Sequence, residues 1–125
     1  MVSMEDRQLT VLVCDDSILV RKQLKDLLED LGCQVLEAKN GLQGVELYRQ
    51  EKPDAVFLDI VMPEMDGIQA LQAIRESDSQ AKVVMVSSAA TASHVKQALR
   101  LGAFSFIQKP YTKEEISQVI LSIRK

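Results

Sequence analysis

Short apolar runs recur along this chain, each bounded by polar or helix-breaking residues. Those at 10–14, 55–59 and 83–87 are apolar at nearly every position, the pattern of strands covered on both faces. Less continuous apolar runs at 34–38 and 104–107 read as two further strands. Between the runs the period becomes helical. Val20, Leu24, Leu27, Leu28 and Leu31 recur on one face, as do Ile68, Leu71 and Ile74. Val45, Leu47 and Tyr48 mark a helix begun by Asn40-Gly41 and ended at Pro53. Val95, Ala98, Leu99 and Leu101 mark another, stopped by Gly102, and a last helix over about 113–124 buries Ile116, Val119, Ile120 and Ile123. Ser17 or Asp16 can cap the first helix, and Gly32 closes it. Pro63, with Asp66-Gly67 after it, forces a loop behind the third strand.

Strand and helix thus alternate five times with short connections. That order predicts an α/β fold: a doubly wound, five-stranded parallel sheet with five helices on its two faces, joined by right-handed crossovers. Residues 1–8 read as an N-terminal tail and 9–125 as one domain. The last predicted helix runs to the end of the chain, so no output domain is expected. A length of 125 residues suits one domain with a sizeable core. The net charge of −3 argues against direct nucleic-acid binding, which needs a basic face. No apolar run approaches the roughly 20 residues of a membrane span, and the polar start lacks the apolar centre of a signal peptide. A cytoplasmic location is the expectation. Cys14 and Cys33 have neither CxxC spacing nor a neighbouring histidine, and read as small buried apolar groups.

In open sheets of this kind, ligands sit beyond the carboxyl ends of the strands, where the connections diverge. With the strand order 2-1-3-4-5 that crevice lies between the first and third strands, which end in Asp15-Asp16 and in Asp59. The fourth strand ends in Ser87-Ser88 and the fifth in Lys109. Each piece has a plainer reading alone: a helix cap, a loop hydroxyl, a solvated lysine. Together they suit phosphoryl transfer. Three converging carboxylates repel one another, and a divalent cation relieves this. An all-oxygen ligand set favours Mg²⁺, which binds through one or two carboxylates plus phosphate oxygens. Ser87 and Lys109 can hold other phosphoryl oxygens, and Asp59, on the central strand, is the acceptor that would form an aspartyl phosphate.

These residues resemble the receiver domain of two-component response regulators, of chemotaxis type. The matching pieces are Val-Cys-Asp-Asp-Ser at 13–17, Leu-Asp-Ile-Val-Met-Pro-Glu-Met-Asp-Gly at 58–67, Val-Ser-Ser-Ala at 86–89, Gly-Ala at 102–103 and Lys-Pro at 109–110. The resemblance spans residues 9–124 and implies the flavodoxin-like receiver fold. It also implies that Asp59 accepts phosphate from a histidine kinase and that Asp15 and Asp16 hold Mg²⁺. Asp16 would be a direct ligand, with Asp59 and the backbone carbonyl of Val61. Ser87 and Lys109 would bind phosphoryl oxygens, Phe106 would be the switch aromatic, and the Lys109-Pro110 bond would be cis. Phosphorylation would change the face formed by the fourth helix, fifth strand and fifth helix. A downstream target or attached output domain would read that change, the receiver being a monomer or a phosphorylation-dependent dimer.

The resemblance further implies self-catalysed phosphoryl transfer and autodephosphorylation rather than an independent enzyme. Val61 and Ala89 occupy positions that are often polar in the family and tune phosphate lifetime; as apolar groups they cannot orient an attacking water. An unphosphorylated adaptor on the same fold is the alternative, against which the retained site positions argue. A carboxylate-nucleophile phosphatase would want a second acid where Val61 stands. A flavodoxin-like cofactor binder would want a Ser/Thr-rich loop where Asp15-Asp16-Ser17 stands. His94, the one histidine, reads as a solvated helix residue, Met62 and Met65 as packing, and Leu121 as an apolar residue off the buried stripe.

Overall fold

The computed structural model describes residues 8–62, 64–88 and 92–124. Strand and helix alternate in the expected order: β1 (Thr10–Cys14), α1 (Ile18–Asp30), β2 (Gln34–Ala38), α2 (Gly41–Glu51), β3 (Ala55–Asp59), α3 (Gly67–Ser77), β4 (Val83–Ser87), α4 (Ala92–Arg100), β5 (Ser105–Gln108) and α5 (Lys113–Arg124). The strands form one parallel sheet, ordered β2-β1-β3-β4-β5. Residues 1–7 of the expected tail, the loop-forming Pro63 and Ala89 lie outside the described residues.

The continuous apolar runs are explained by two cores, one on each face of the sheet. Successive strand residues point to opposite faces. Leu12, Cys14, Val56, Leu58, Val83 and Met85 pack with residues of α2, α3 and α4. Val11, Val13, Ala55, Phe57, Val84 and Val86 pack with α1 and α5. Phe57 is the largest of the fully buried side chains, and truncating such a residue to alanine costs about 3–5 kcal/mol.

Side chains start α1, α2 and α3, and left-handed residues follow α1, α2 and α4. The Ser17 hydroxyl accepts from the Val20 N–H at 3.3 Å, and the Asn40 side chain from the Gln43 N–H at 2.8 Å. Asp66 and Gln69 cap α3 reciprocally, at 2.9 and 3.1 Å. After α1, Gly32 takes φ +87°, a conformation that side chains disfavour.

Three details depart from the sequence reading. β5 begins at Ser105 rather than 104: its pairing with β4 starts at Val84↔Ser105, and the Phe104 N–H only leads in, donating to the Val83 carbonyl at 2.8 Å. On α4, Ala98 is fully buried while Leu99, one residue and 100° further round, is 55% exposed. His94 on the same helix is half-buried rather than solvated, and its Nδ1 is shielded from solvent.

Candidate functional site

β1 hands the chain to α1 on one face of the sheet, and neighbouring β3 hands it to α3 on the other. A crevice opens where the two connections part. The register Cys14↔Leu58 brings the next residues, Asp15 and Asp59, to the same level across it. One carboxylate oxygen from each of Asp15, Asp16 and Asp59 lies within 4.8 Å of the others. Asp15 is buried and Asp16 exposed, and Asp59 is only 9% exposed.

Lys109 enters from the end of β5. Its ammonium donates to Asp15 Oδ2 at 3.0 Å and stands 3.7 Å from Asp59 Oδ2. Its backbone N–H donates to the Ser87 carbonyl at 3.0 Å, which ties the ends of β4 and β5 together. The Lys109-Pro110 bond is cis, as the resemblance implied. Ser87 is buried at the end of β4, and its neighbour Val86 pairs with Asp59 in the sheet. Phe106 on β5 is half-buried against the α2–α4 core, while Val61, just past β3, is 62% exposed.

One ammonium does not offset this much negative charge. Burial pushes the Asp59 carboxyl above its ordinary value; Lys109 draws it down, and Asp15 raises it again. Three carboxylates against one ammonium leave the crevice net negative, so it favours added positive charge. Every converging ligand atom is a carboxylate oxygen, the donor type of a hard divalent cation. The acidic crevice is compatible with Mg²⁺ on charge, donor type and spacing.

Several supporting residues make contacts that the sequence did not signal. A Cβ at Gly67 would run into the Asp59 carbonyl oxygen, and the Gly67 N–H donates to the Ile60 carbonyl at 2.8 Å, so α3 starts against the end of β3. A Cβ at Gly41 would likewise meet the Met65 carbonyl oxygen, seating the start of α2 on the loop after β3. The Cys14 thiol, directly before the acid pair, donates to the Asn40 carbonyl at 3.1 Å and lies 3.6 Å from Met62 Sδ. Burial first, then Asp15 and Asp59, push it up to about 12, so it remains a packed thiol. Arg21 donates to the Asp15 carbonyl at 2.8 Å. Its place on the polar edge of an amphipathic helix, six residues after Asp15, was the only hint in the sequence.

The model of the response regulator receiver domain matches residues 11–121. The chain belongs to the response regulator receiver family. This receiver, a module of two-component signalling, is 42% identical over 111 residues to the chemotaxis protein CheY of Bacillus subtilis, covering 88% of this chain and 92% of that protein. It is 44% identical over 118 residues to the CheY of Treponema pallidum, covering 92% and 82%. A chain in the crystal structure of the CheX–CheY–BeF3–Mg²⁺ complex from Borrelia burgdorferi superposes with a TM-score of 0.89 at 36% identity, covering 94% of this receiver and 90% of that chain. No helix among the described residues is long and apolar enough to cross a membrane.

Proposed function

We propose that this receiver takes a phosphoryl group onto Asp59 from a histidine kinase, and that the phosphorylated state offers a changed α4-β5-α5 face to a downstream protein. The observation that carries this reading is the convergence of Asp15, Asp16 and Asp59 on one crevice, with the Lys109 ammonium reaching two of them. Asp16, Asp59 and the Val61 carbonyl would hold Mg²⁺, with Asp15 alongside. When bound, the ion supplies positive charge against the carboxylates and the phosphoryl oxygens.

The remaining work falls to the chain's own groups. A carboxylate oxygen of Asp59 attacks the phosphorus of a phosphohistidine; the new O–P bond forms as the P–N bond breaks, and the imidazole, protonated on its other nitrogen by solvent, leaves as the neutral base. The Lys109 ammonium turns from the carboxylates to a phosphoryl oxygen, and the Ser87 hydroxyl donates to another. Ile18, Leu19 and Val61 are 75%, 65% and 62% exposed beside the acids, an apolar rim against which a donor protein can seat. Val61 gives a hydrolytic water no hydrogen bond, so loss of the phosphoryl group gains nothing from that side chain. The donor kinase implies a cytoplasmic setting.

Incubation with acetyl phosphate and Mg²⁺, read by intact mass, tests the proposal. One hydroxylamine-labile phosphoryl group should appear, and none when the metal is chelated. Equal labelling with and without Mg²⁺ would contradict the reading.

A further inference from the structure

The acid pair Asp15-Asp16 must stand still to serve the crevice, yet its two carboxylates repel each other and Asp59. Asp15 is fastened at four points. Its N–H donates to the Ala38 carbonyl on β2 at 3.1 Å, and its Oδ1 accepts from the Ser17 N–H at 2.9 Å. Its Oδ2 accepts from Lys109 at 3.0 Å, and its backbone carbonyl accepts from the Arg21 guanidinium at 2.8 Å. Of these fastenings, the last bears on Asp16. A peptide group is planar, so holding the Asp15 carbonyl oxygen fixes the plane that joins the two Cα atoms carrying the carboxylates.

Arg21 is itself held. Its Nε lies 3.3 Å from Glu37 on β2, with the side chains 15% and 38% exposed. Lys25 approaches the other oxygen of Glu37 at 3.6 Å. The guanidinium therefore spans from β2 to the turn after β1, using the directional fork that distinguishes arginine from lysine.

We infer that Arg21 is a positioning residue for the metal-holding acid pair, setting the aim of Asp16 through the Asp15–Asp16 peptide. This rests on the Mg²⁺ reading of the crevice. It runs against the simplest electrostatic expectation, and that makes it testable. A cation near a cation site should weaken Mg²⁺ binding by repulsion, so if Arg21 acted only through its charge, removing it would tighten binding. If it acts by fixing the peptide plane, removing it loosens binding. Partners that orient metal ligands typically contribute about ten-fold or more to affinity.

The experiment is Mg²⁺ titration by calorimetry on the wild type, Asp16→Ala, Arg21→Met, Arg21→Lys and Glu37→Gln, with a thermal melt of each. Arg21→Met keeps the apolar stem and should weaken Mg²⁺ binding about ten-fold. Arg21→Lys should weaken it as well, although the charge is kept. Glu37→Gln, which loosens the arginine without removing it, should weaken binding by a smaller factor, and it decides the matter if the Arg21 variants do not fold. Amide spectra of the metal-free proteins should show the Asp16 N–H displaced in both arginine variants. Tighter or unchanged binding in Arg21→Met, or wild-type affinity in Arg21→Lys, overturns the role of Arg21 while leaving the crevice reading intact. Equal Mg²⁺ binding by the wild type and Asp16→Ala overturns the crevice reading itself, and this inference with it.

Discussion

A buried carboxylate costs stability when its neighbours do not make up for burial, and at Asp59 burial outweighs the draw of Lys109. Burial raises its carboxyl above the ordinary value, so the folded state holds that proton more tightly than the unfolded chain does. The resulting stability is fully present below the unfolded value and is lost as pH rises through the folded one. Above the folded value the penalty is fully expressed. Asp59→Asn should therefore melt higher than the wild type in chelator at neutral pH, and the difference should shrink as the solution is acidified. A lower melting point for Asn at neutral pH would mean that Lys109 outweighs burial at this site. The opposite sign holds at Asp78, whose carboxyl is lowered, chiefly by the Tyr48 hydroxyl donating at 2.7 Å. That contribution is present above the unfolded value and is lost as pH falls through the folded one. Tyr48→Phe should cost about 1 kcal/mol at neutral pH and less in acid, checked by urea unfolding at two pH values.

Among the elements, α3 carries the tightest constraint on the site. Its first residue, Gly67, leaves no room for a Cβ against the end of β3. Gly67→Ala must push α3 or the Asp59 backbone aside. It should lose about 1–3 kcal/mol by chemical denaturation and slow phosphorylation of the remaining folded protein. An alanine variant with wild-type stability and rate would show that the start of α3 can shift without disturbing Asp59. How much of this could be read in the sequence differs by element. Strands β1 to β4 and helix α5 were legible to the residue: β1, β3 and β4 are buried on both faces and admit almost no polar side chain, the half-exposed edge strand β2 is framed by Gly32 and Asn40-Gly41, and α5 shows in its apolar stripe. β5 was displaced by one residue, since Phe104 is as apolar as its strand neighbours and only the pairing with Val84 excludes it. Leu99 and His94 were misplaced on their faces because nine residues of α4 give too few turns to fix the rotation of the stripe. The acids, Ser87 and Lys109 were legible as strand ends. The close approach of Gly67 to β3, the hold of Arg21 on Asp15 and the Tyr48–Asp78 link were not, because each joins segments that have no periodic relation.

For the whole molecule, the question is how an event at Asp59 reaches a surface. Phosphorylation adds close to two negative charges and several acceptor oxygens. Ser87 ends the adjacent strand, and Phe106 lies one strand further out, half-buried against the core beneath α4. If the Ser87 hydroxyl closes on the phosphoryl group, the space it leaves can be filled by the Phe106 ring, shifting the α4-β5-α5 face by a coupling of about 1–3 kcal/mol. Beryllofluoride with Mg²⁺ should then shift the α4 amide resonances in the wild type and much less in Ser87→Ala and Phe106→Ala. Full wild-type shifts in both variants would send the signal by another route. All of this presupposes that Asp59 is the acceptor, and the most direct measurement locates the phosphoryl group. Acetyl phosphate and Mg²⁺ are added, the acyl phosphate is reduced with borohydride, and the digested protein is sequenced by tandem mass spectrometry. Homoserine is expected at position 59 alone; homoserine at 15 or 16, or at no aspartate, would mean that Asp59 is not the acceptor.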